Sequence, residues 1–232
     1  MNRPSVLNIS EVPVLTTISA AVTVPKKVVA TTPAVSDEVI RLASRLLAIT
    51  PGESSIISWT AVENMLNPMR LAMDLAYALM QLQQGLVLLI DANFRRPTLH
   101  AQFGLTLQPG FAEMLRGSVM LTDALRTTAH PQLTVLPAGT PVSETSPITP
   151  AETTRVFEEL RRRFGYIVVQ SPAYFESVDP ALLAARVDGV VIAAQSGKTR
   201  KAQLREIKRE LEAVKARLFG VALVQEPLRN GR

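Results

Sequence analysis

The chain has 232 residues, of which 47% are hydrophobic, enough to bury one good core in a single domain of about 190 residues with a tail. It has no cysteine, which excludes disulfides and thiolate metal sites and makes a reducing compartment the expected one. The formal net charge of +5 permits anionic partners without requiring them. Aromatic residues are scarce and none lies among the basic residues, which argues against binding nucleic acid by base stacking.

The first part of the chain differs in composition from the rest. Residues 1–36 are rich in Val, Thr, Ala and Pro and show no sustained period, so we expect a flexible tail or linker. Their longest uncharged stretch, residues 12–25, is too short and interrupted to span a bilayer and lacks a signal-peptide pattern. We therefore predict a cytoplasmic protein with an α/β domain over residues 37–228 and a short tail over 229–232.

From residue 37 onward, helical and apolar segments alternate. Ser36 precedes the helical pattern DEVIRLASRLLAI, and a PGES turn leads to a β-branched strand over 55–62. Further helices are predicted near 67–82, around PGFAEMLRG (109–117), and near 150–164, 179–186 and 198–217. Strands are predicted at GLVLLID, LTVLPAG, YIVVQ, GVVIAAQ and GVALVQ. Apolar strands separated by helices predict a mostly parallel sheet with helices on both faces, a three-layer α/β fold. Ligands of such sheets bind at the carboxyl ends of the strands.

The helix predicted over residues 198–217 is amphipathic and strongly basic. It has eight Lys or Arg residues against three Glu, and Arg205, Lys208 and Arg209 belong to its basic outer face. One interpretation is the solvated face of a domain helix. The alternative is a surface that meets an acidic partner or a membrane.

Six segments in order carry a family resemblance. LLIDANFRRPTLHAQFGL is followed by PGFAEMLRG, LTVLPAGTPVSETSP, FGYIVVQSPA, VDPALLAARVDGVVIAAQSGKTR and GVALV. Over residues 37–225 the chain resembles the cytosolic domain of bacterial tyrosine kinases of capsule and exopolysaccharide export, within the MinD and ParA group of P-loop ATPases. The resemblance implies a P-loop NTPase-like fold.

The resemblance also implies a phosphate loop after the first strand of the domain, and that interval departs from the family pattern. Such a loop needs glycines to turn its N–H groups toward phosphate, a lysine and a Ser or Thr hydroxyl. Residues 60–72, TAVENMLNPMRLA, contain no Gly, Lys or Ser, and their only Thr is Thr60. Asn64, Asn67 and Pro68 occupy the degenerate loop, and Asn67 with Pro68 makes an ordinary helix start.

The acidic motifs implied by the resemblance are also reduced. Asp91 is kept at the end of GLVLLID, Asn93 replaces the second aspartate, and Gln170 stands where an aspartate follows the next strand. An isolated carboxylate holds magnesium poorly. We therefore expect neither catalysis nor a cofactor, and no metal site, since the two histidines lack a carboxylate cluster. The alternative is an ATP-dependent tyrosine kinase or ATPase that binds ATP or ADP with Mg²⁺ at a non-standard phosphate site, with Asp91 as the remaining ligand.

The remaining predictions concern partners, again as the resemblance implies them. We expect a scaffold or regulator beside an inner-membrane polysaccharide co-polymerase of the Wzz-like type, peripheral to the membrane through that partner. Homo-oligomers are an open expectation, because Glu38, Arg41 and Arg45 approximate the family's oligomerisation helix with the last arginine displaced by one residue. Arg95 and Arg96 form either an ion pair that fixes their loop or an interface.

Overall fold

A single eight-stranded sheet organises the molecule. The structure, a computed structural model, describes residues 12–19, 34–50, 52–63, 68–82, 85–141 and 148–225. The strands are β1 (Val14–Ser19), β2 (Ser55–Ala61), β3 (Val87–Asp91), β4 (Arg126–Thr127), β5 (Leu133–Leu136), β6 (Tyr166–Gln170), β7 (Gly189–Gln195) and β8 (Leu218–Gln225). Their order is β1-β8-β7-β2-β6-β3-β5-β4, and every pair is parallel except β4 with β5. The predicted mostly parallel sheet is confirmed.

Helices cover both faces of this sheet. They are α1 (Asp37–Ile49), α2 (Pro68–Leu82), α3 (Leu99–Phe103), α4 (Phe111–Leu115), α5 (Leu121–Ala124), α6 (Pro150–Arg161), α7 (Asp179–Ala184) and α8 (Lys201–Ala213). Alternate strand residues point to opposite faces. Ile57 and Trp59 pack in the cluster that contains α1 and α2, whereas Ile56 packs with α4 and α6. A third cluster joins α7 and α8 to β7 and β8 on that second face.

Helix α2 is buried more completely than the other long helices. Every residue from 71 to 80 is buried, including Asp74, which lies in an ion pair with Arg70. The Arg70 Nε atom donates to both carboxylate oxygens, at 2.8 and 3.0 Å. Desolvation raises the pKa of Asp74, and Arg70 acts in the opposite direction. This pairing lets a charged residue lie inside the layer that α1 and the sheet enclose.

The prediction that residues 1–36 form a flexible tail is wrong for Val14–Ser19. These residues are strand β1, which lies parallel to β8 at one edge of the sheet. Leu15 and Ile18 are buried, and Leu15 packs over Gly220, whose φ is +152° and where a Cβ would lie 2.6 Å from the Leu15 Cγ. Residues 1–11, 20–33 and 226–232 lie outside the described residues, and the domain limits of 37 and 228 stay a prediction.

The basic helix is shorter than the sequence indicates. The predicted range was 198–217, and α8 covers Lys201–Ala213. Residues 214 and 215 form a turn in which Lys215 has φ +57°, a left-handed conformation that ends a helix. Gly197, with φ +78°, precedes the helix in the turn after β7.

Candidate nucleotide site at the carboxyl edge of the sheet

The carboxyl ends of three neighbouring strands bring the predicted site residues together. Asp91 at the end of β3 pairs in register with Gln170 at the end of β6, and Gln170 pairs with Trp59 in β2. In a doubly wound sheet this is the edge at which ligands bind. The prediction that Asp91 and Gln170 belong to one edge therefore holds at the level of the strands.

Asp91 is fully buried, and the backbone that follows it encloses its carboxylate. Its Oδ1 accepts a hydrogen bond from the Asn93 N–H at 2.9 Å. Its Oδ2 accepts from the N–H groups of Thr98 and Leu99, at 2.9 and 3.0 Å. Burial raises the pKa of Asp91 to about 6, and the three N–H donors act in the opposite direction. The carboxylate therefore fixes the loop from β3 to the start of α3.

Gln170 brings an uncharged amide to the same edge. Its Nε2 donates to the Ser171 carbonyl at 2.6 Å, while its buried Oε1 has no partner among the described residues. Its backbone carbonyl accepts from the Ala92 N–H at 2.7 Å, which ties the residue after β3 to the end of β6. An amide can orient a polar ligand, but it supplies neither negative charge nor a base.

Asn93 also serves the loop after β3. Its Oδ1 accepts from the Arg96 N–H at 3.1 Å, a local turn of the kind that asparagine favours. Arg95 and Arg96 are exposed, and within the described ranges neither forms an ion pair. In the described part of the chain these arginines therefore have no carboxylate partner with which to fix the loop. Asp91 fixes the loop instead, through hydrogen bonds from backbone N–H groups.

The connection between β2 and α2 is the interval in which a phosphate loop was expected. The Val62 N–H donates to the Ala193 carbonyl at 3.0 Å, and a Glu63 oxygen accepts from the Gln203 Nε2 at 3.2 Å. Thr60, the only threonine of the interval, donates its hydroxyl to the Pro172 carbonyl at 2.8 Å. Asn64 and Asn67 lie outside the described residues. Pro68 opens α2 and has no N–H to offer a phosphate.

The three residues proposed for oligomerisation differ in their surroundings. Arg41 forms an exposed ion pair with Asp37 at 4.0 Å, with side chains 70% and 89% exposed. A hydrogen bond from its own backbone N–H lowers the pKa of Glu38. Arg45 donates through Nη1 to the Leu15 carbonyl of β1, a strand that lies within the segment predicted to be a tail.

The basic helix presents its cations along one flank. A surface groove of about 430 Å³ runs along α8 and is lined by Ala202, Arg205, Lys208, Arg209 and Glu212. Lys208 lies 3.6 Å from Glu212, and this ion pair reaches solvent, so it adds little stability. Arg205 and Arg209 are exposed and keep this flank positive.

Two features of this edge were missed in the sequence. Gln195 ends β7 as Gln170 ends β6; it is buried, and its Oε1 also has no partner in the described ranges. The repeated signal is visible in YIVVQ, GVVIAAQ and GVALVQ, three strands that each end in glutamine. Amide side chains therefore close strands at this edge, where a magnesium site would require carboxylates.

The other missed residue is Glu113, which joins α4 to the loop after β5. Its Oε2 accepts from the Gly110 N–H at 2.8 Å and its Oε1 from the Thr140 N–H at 3.0 Å. Desolvation acts to raise the pKa of Glu113, but the hydrogen bonds from Thr140 and Gly110 outweigh it and lower the pKa. The spacing G-x-x-E before an apolar run was the available signal.

The described residues contain neither a candidate metal cluster nor a candidate membrane span. No group of three or more His, Cys, Asp or Glu side chains there could hold a metal ion. No helix in the described ranges is long and apolar enough to cross a bilayer.

Comparison with known proteins identifies relatives by sequence. No protein-family model matches the chain. Tyrosine-protein kinase YwqD of Bacillus subtilis (strain 168) is 31% identical over 148 residues, which cover 61% of this chain and 60% of YwqD. Tyrosine-protein kinase CpsD of Streptococcus agalactiae is 29% identical over 138 residues, 59% of this chain and 60% of CpsD. The matched region thus spans about three fifths of the length of these relatives.

Solved structures agree with this match in fold. The kinase domain of the Escherichia coli tyrosine kinase ETK superposes with a TM-score of 0.85 at 19% identity, over 100% of this chain and 97% of that domain. The septum site-determining protein MinD of Pyrococcus horikoshii OT3, complexed with Mg-ADP, superposes with a TM-score of 0.61 at 18% identity, over 73% of this chain and 70% of MinD. At these identities the likeness shows the fold, which is the predicted P-loop NTPase-like fold.

Proposed function

We propose, from the premise that homologues of this chain are bacterial tyrosine-protein kinases, that it is a catalytically degenerate relative of them. In this proposal it acts as a scaffold or regulator in capsule or exopolysaccharide biosynthesis and export. The observation that carries the proposal is the enclosed carboxylate of Asp91, whose two oxygens accept three backbone N–H groups.

The enclosed carboxylate of Asp91 is poorly placed to bind magnesium. Mg²⁺ requires near-octahedral oxygen ligands and is held in nucleotide sites by one or two carboxylates together with phosphates. Asp91 has no exposed surface, and the hydrogen bonds to Asn93, Thr98 and Leu99 would have to be given up for it to turn toward an ion. The adjacent strand end offers Gln170, an amide without charge.

Phosphate binding is the second function that the site lacks the residues to perform. Residues 60–72, which include the connection between β2 and α2, contain no Gly, Lys or Ser, so they lack the residues that turn backbone N–H groups toward a phosphate and neutralise it. Val62 and Glu63 already contact Ala193 and Gln203. A helix N-terminus attracts anions, but Pro68, the first residue of α2, has no N–H to donate to a phosphate.

Exposed arginine side chains support the proposal that the protein binds a partner. Arg95 and Arg96 lie on the loop after β3, and Arg205 and Arg209 lie on the flank of α8. Exposed arginines suit bidentate contacts with carboxylates. We therefore propose an acidic cytoplasmic segment of a Wzz-like polysaccharide co-polymerase as the partner, which would hold the protein at the inner membrane without direct lipid contact.

The experiment that tests the proposal is a turnover assay of the full chain with ATP and magnesium. ATP hydrolysis and tyrosine phosphorylation are followed beside the Bacillus subtilis relative, which serves as a positive control. We expect neither product to exceed the enzyme-free blank. Phosphotyrosine or ADP formation that disappears in Asp91→Asn would instead establish an active kinase or ATPase with a non-standard phosphate site.

A further inference from the structure

Exposed apolar side chains are concentrated in one short segment of the surface. Eight large apolar side chains are exposed in the described residues, and three of them lie between residues 175 and 182. Phe175 is 45% exposed, Val178 is 63% exposed and Leu182 is 36% exposed. Single exposed apolar residues are normal, whereas a group of them marks an interaction surface. The segment 175–182 is therefore a candidate docking surface.

Local structure brings the three side chains to one side of this segment. It begins with a 3₁₀ turn, Tyr174–Glu176, and continues into α7. The Leu182 N–H donates to the Val178 carbonyl at 3.1 Å, so these residues lie one helical turn apart on the same face. The Phe175 ring, just before this face, packs against the Tyr174 ring with 5.7 Å between centroids. We call Phe175, Val178 and Leu182 the apolar stripe.

Acidic residues border the apolar stripe. Glu176 is exposed and follows Phe175 directly. On α8, Glu206 and Glu210 are exposed one turn apart, and neither lines the basic groove of that helix. Burial raises the pKa of Tyr174, and the nearby Glu210 carboxylate raises it further. The acidic flank of α8 therefore lies beside the 3₁₀ turn.

The cations nearest in sequence to α7 are directed elsewhere. The guanidinium of Arg186 donates to the carbonyls of Ala185 and Pro150, at 3.0 and 3.4 Å. Arg161 pairs with Asp188 at 2.8 Å, at the amino end of β7. The described surface around the apolar stripe therefore has a negative border.

We propose that the apolar stripe and its acidic border form a docking site for a basic amphipathic helix of another protein. Apolar residues spaced three and four positions apart suit contact with the apolar face of such a helix. Lysines or arginines beside that apolar face would lie opposite Glu176, Glu206 and Glu210, which fixes the sign of charge that the site accepts. This inference is independent of the proposed function, because it uses another surface and a partner segment of opposite charge.

The test is binding of a fluorescein-labelled synthetic amphipathic helix of leucine and lysine to the full chain, followed by fluorescence anisotropy. We expect saturable micromolar binding. The double variant Val178→Ser with Leu182→Ser removes apolar contacts and is expected to weaken binding by at least about fivefold. The matched control, Met120→Ser, changes an exposed apolar residue outside the stripe and should leave the dissociation constant unchanged within about twofold.

A second pair of variants keeps the test informative if the serines disturb α7. Glu206→Gln with Glu210→Gln changes exposed side chains only and is expected to weaken binding by about threefold or more at low salt. Glu212→Gln, on the same helix but in the basic groove, is the control and should change it by less than about twofold. No saturable binding of the peptide overturns the proposal. Binding that both double variants retain also overturns it, since the peptide then uses another surface.

Discussion

Strands β3 and β6 end at the same edge of the sheet, but their last side chains, Asp91 and Gln170, differ in how fully they are hydrogen-bonded. Asp91 accepts three backbone hydrogen bonds and builds the loop that leads to α3. Gln170, its partner in register, donates one hydrogen bond and leaves a buried oxygen without a partner in the described ranges. Asp91 therefore has a structural reason to be present whether or not the protein binds a nucleotide, whereas Gln170 contributes little to the fold.

Removal of the Asp91 carboxylate should have the largest effect. Asp91→Ala leaves the N–H groups of Asn93, Thr98 and Leu99 without their acceptor, and we expect a loss of about 3 kcal/mol in the free energy of unfolding. Urea denaturation of the two proteins measures it. Gln170→Ala is the control on the neighbouring strand, and an equal loss there would remove the distinction between the two strand ends.

The pH dependence of stability should sharpen the same distinction. Because the pKa of Asp91 is about 6 in the folded chain, against 3.8 as its ordinary value, the folded state holds more protons between these pH values. The stabilisation that comes from protonated Asp91 is therefore fully present below pH 4. As the pH rises through 6 it is lost, which lowers the free energy of unfolding by up to about 3 kcal/mol. The Asp91→Asn variant should lack this pH-dependent change in the free energy of unfolding. Parallel stability curves for the two proteins between pH 4 and 7 would contradict the assignment.

Restoration of a carboxylate on β6 should be unfavourable. Gln170→Asp places a second buried acid beside Asp91, and the repulsion and desolvation raise the pKa of the pair. We expect a loss of about 2 kcal/mol at pH 8 and a smaller loss at pH 5, where the new group is protonated. Thermal melts at both pH values, with and without magnesium, measure it. Stabilisation of this variant by magnesium would mean that Asp91 is able to leave its loop.

The smallest effect is expected when Gln170 becomes apolar. Gln170→Leu keeps much of the volume, gives up one hydrogen bond to Ser171 and removes the unpaired oxygen. These changes nearly cancel, and we expect the free energy of unfolding to change by less than about 1 kcal/mol. A loss as large as that of Asp91→Ala, measured in the same urea titration, would show that the amide supports the edge.

The sequence predicted the sheet because apolar strands and amphipathic helices alternate along it, and it placed Asp91 and Gln170 at one edge. It did not predict β1, because six residues show no useful period and their partner, β8, lies some two hundred residues later. Arg45 was accordingly assigned to an interface, although it contacts Leu15. The enclosure of Asp91 was also out of reach, since its donors are backbone groups whose positions depend on loop conformation and not on residue type.

Calorimetric titration of the full chain with ATP and with ADP, with and without magnesium and up to millimolar nucleotide, tests the central claim most directly. The enclosed Asp91 and the loop without Gly, Lys or Ser predict no saturable heat under any of these conditions. Saturable micromolar binding that requires magnesium and is lost in Asp91→Asn would contradict the account, because Asp91 would then hold the metal and its loop would have to open.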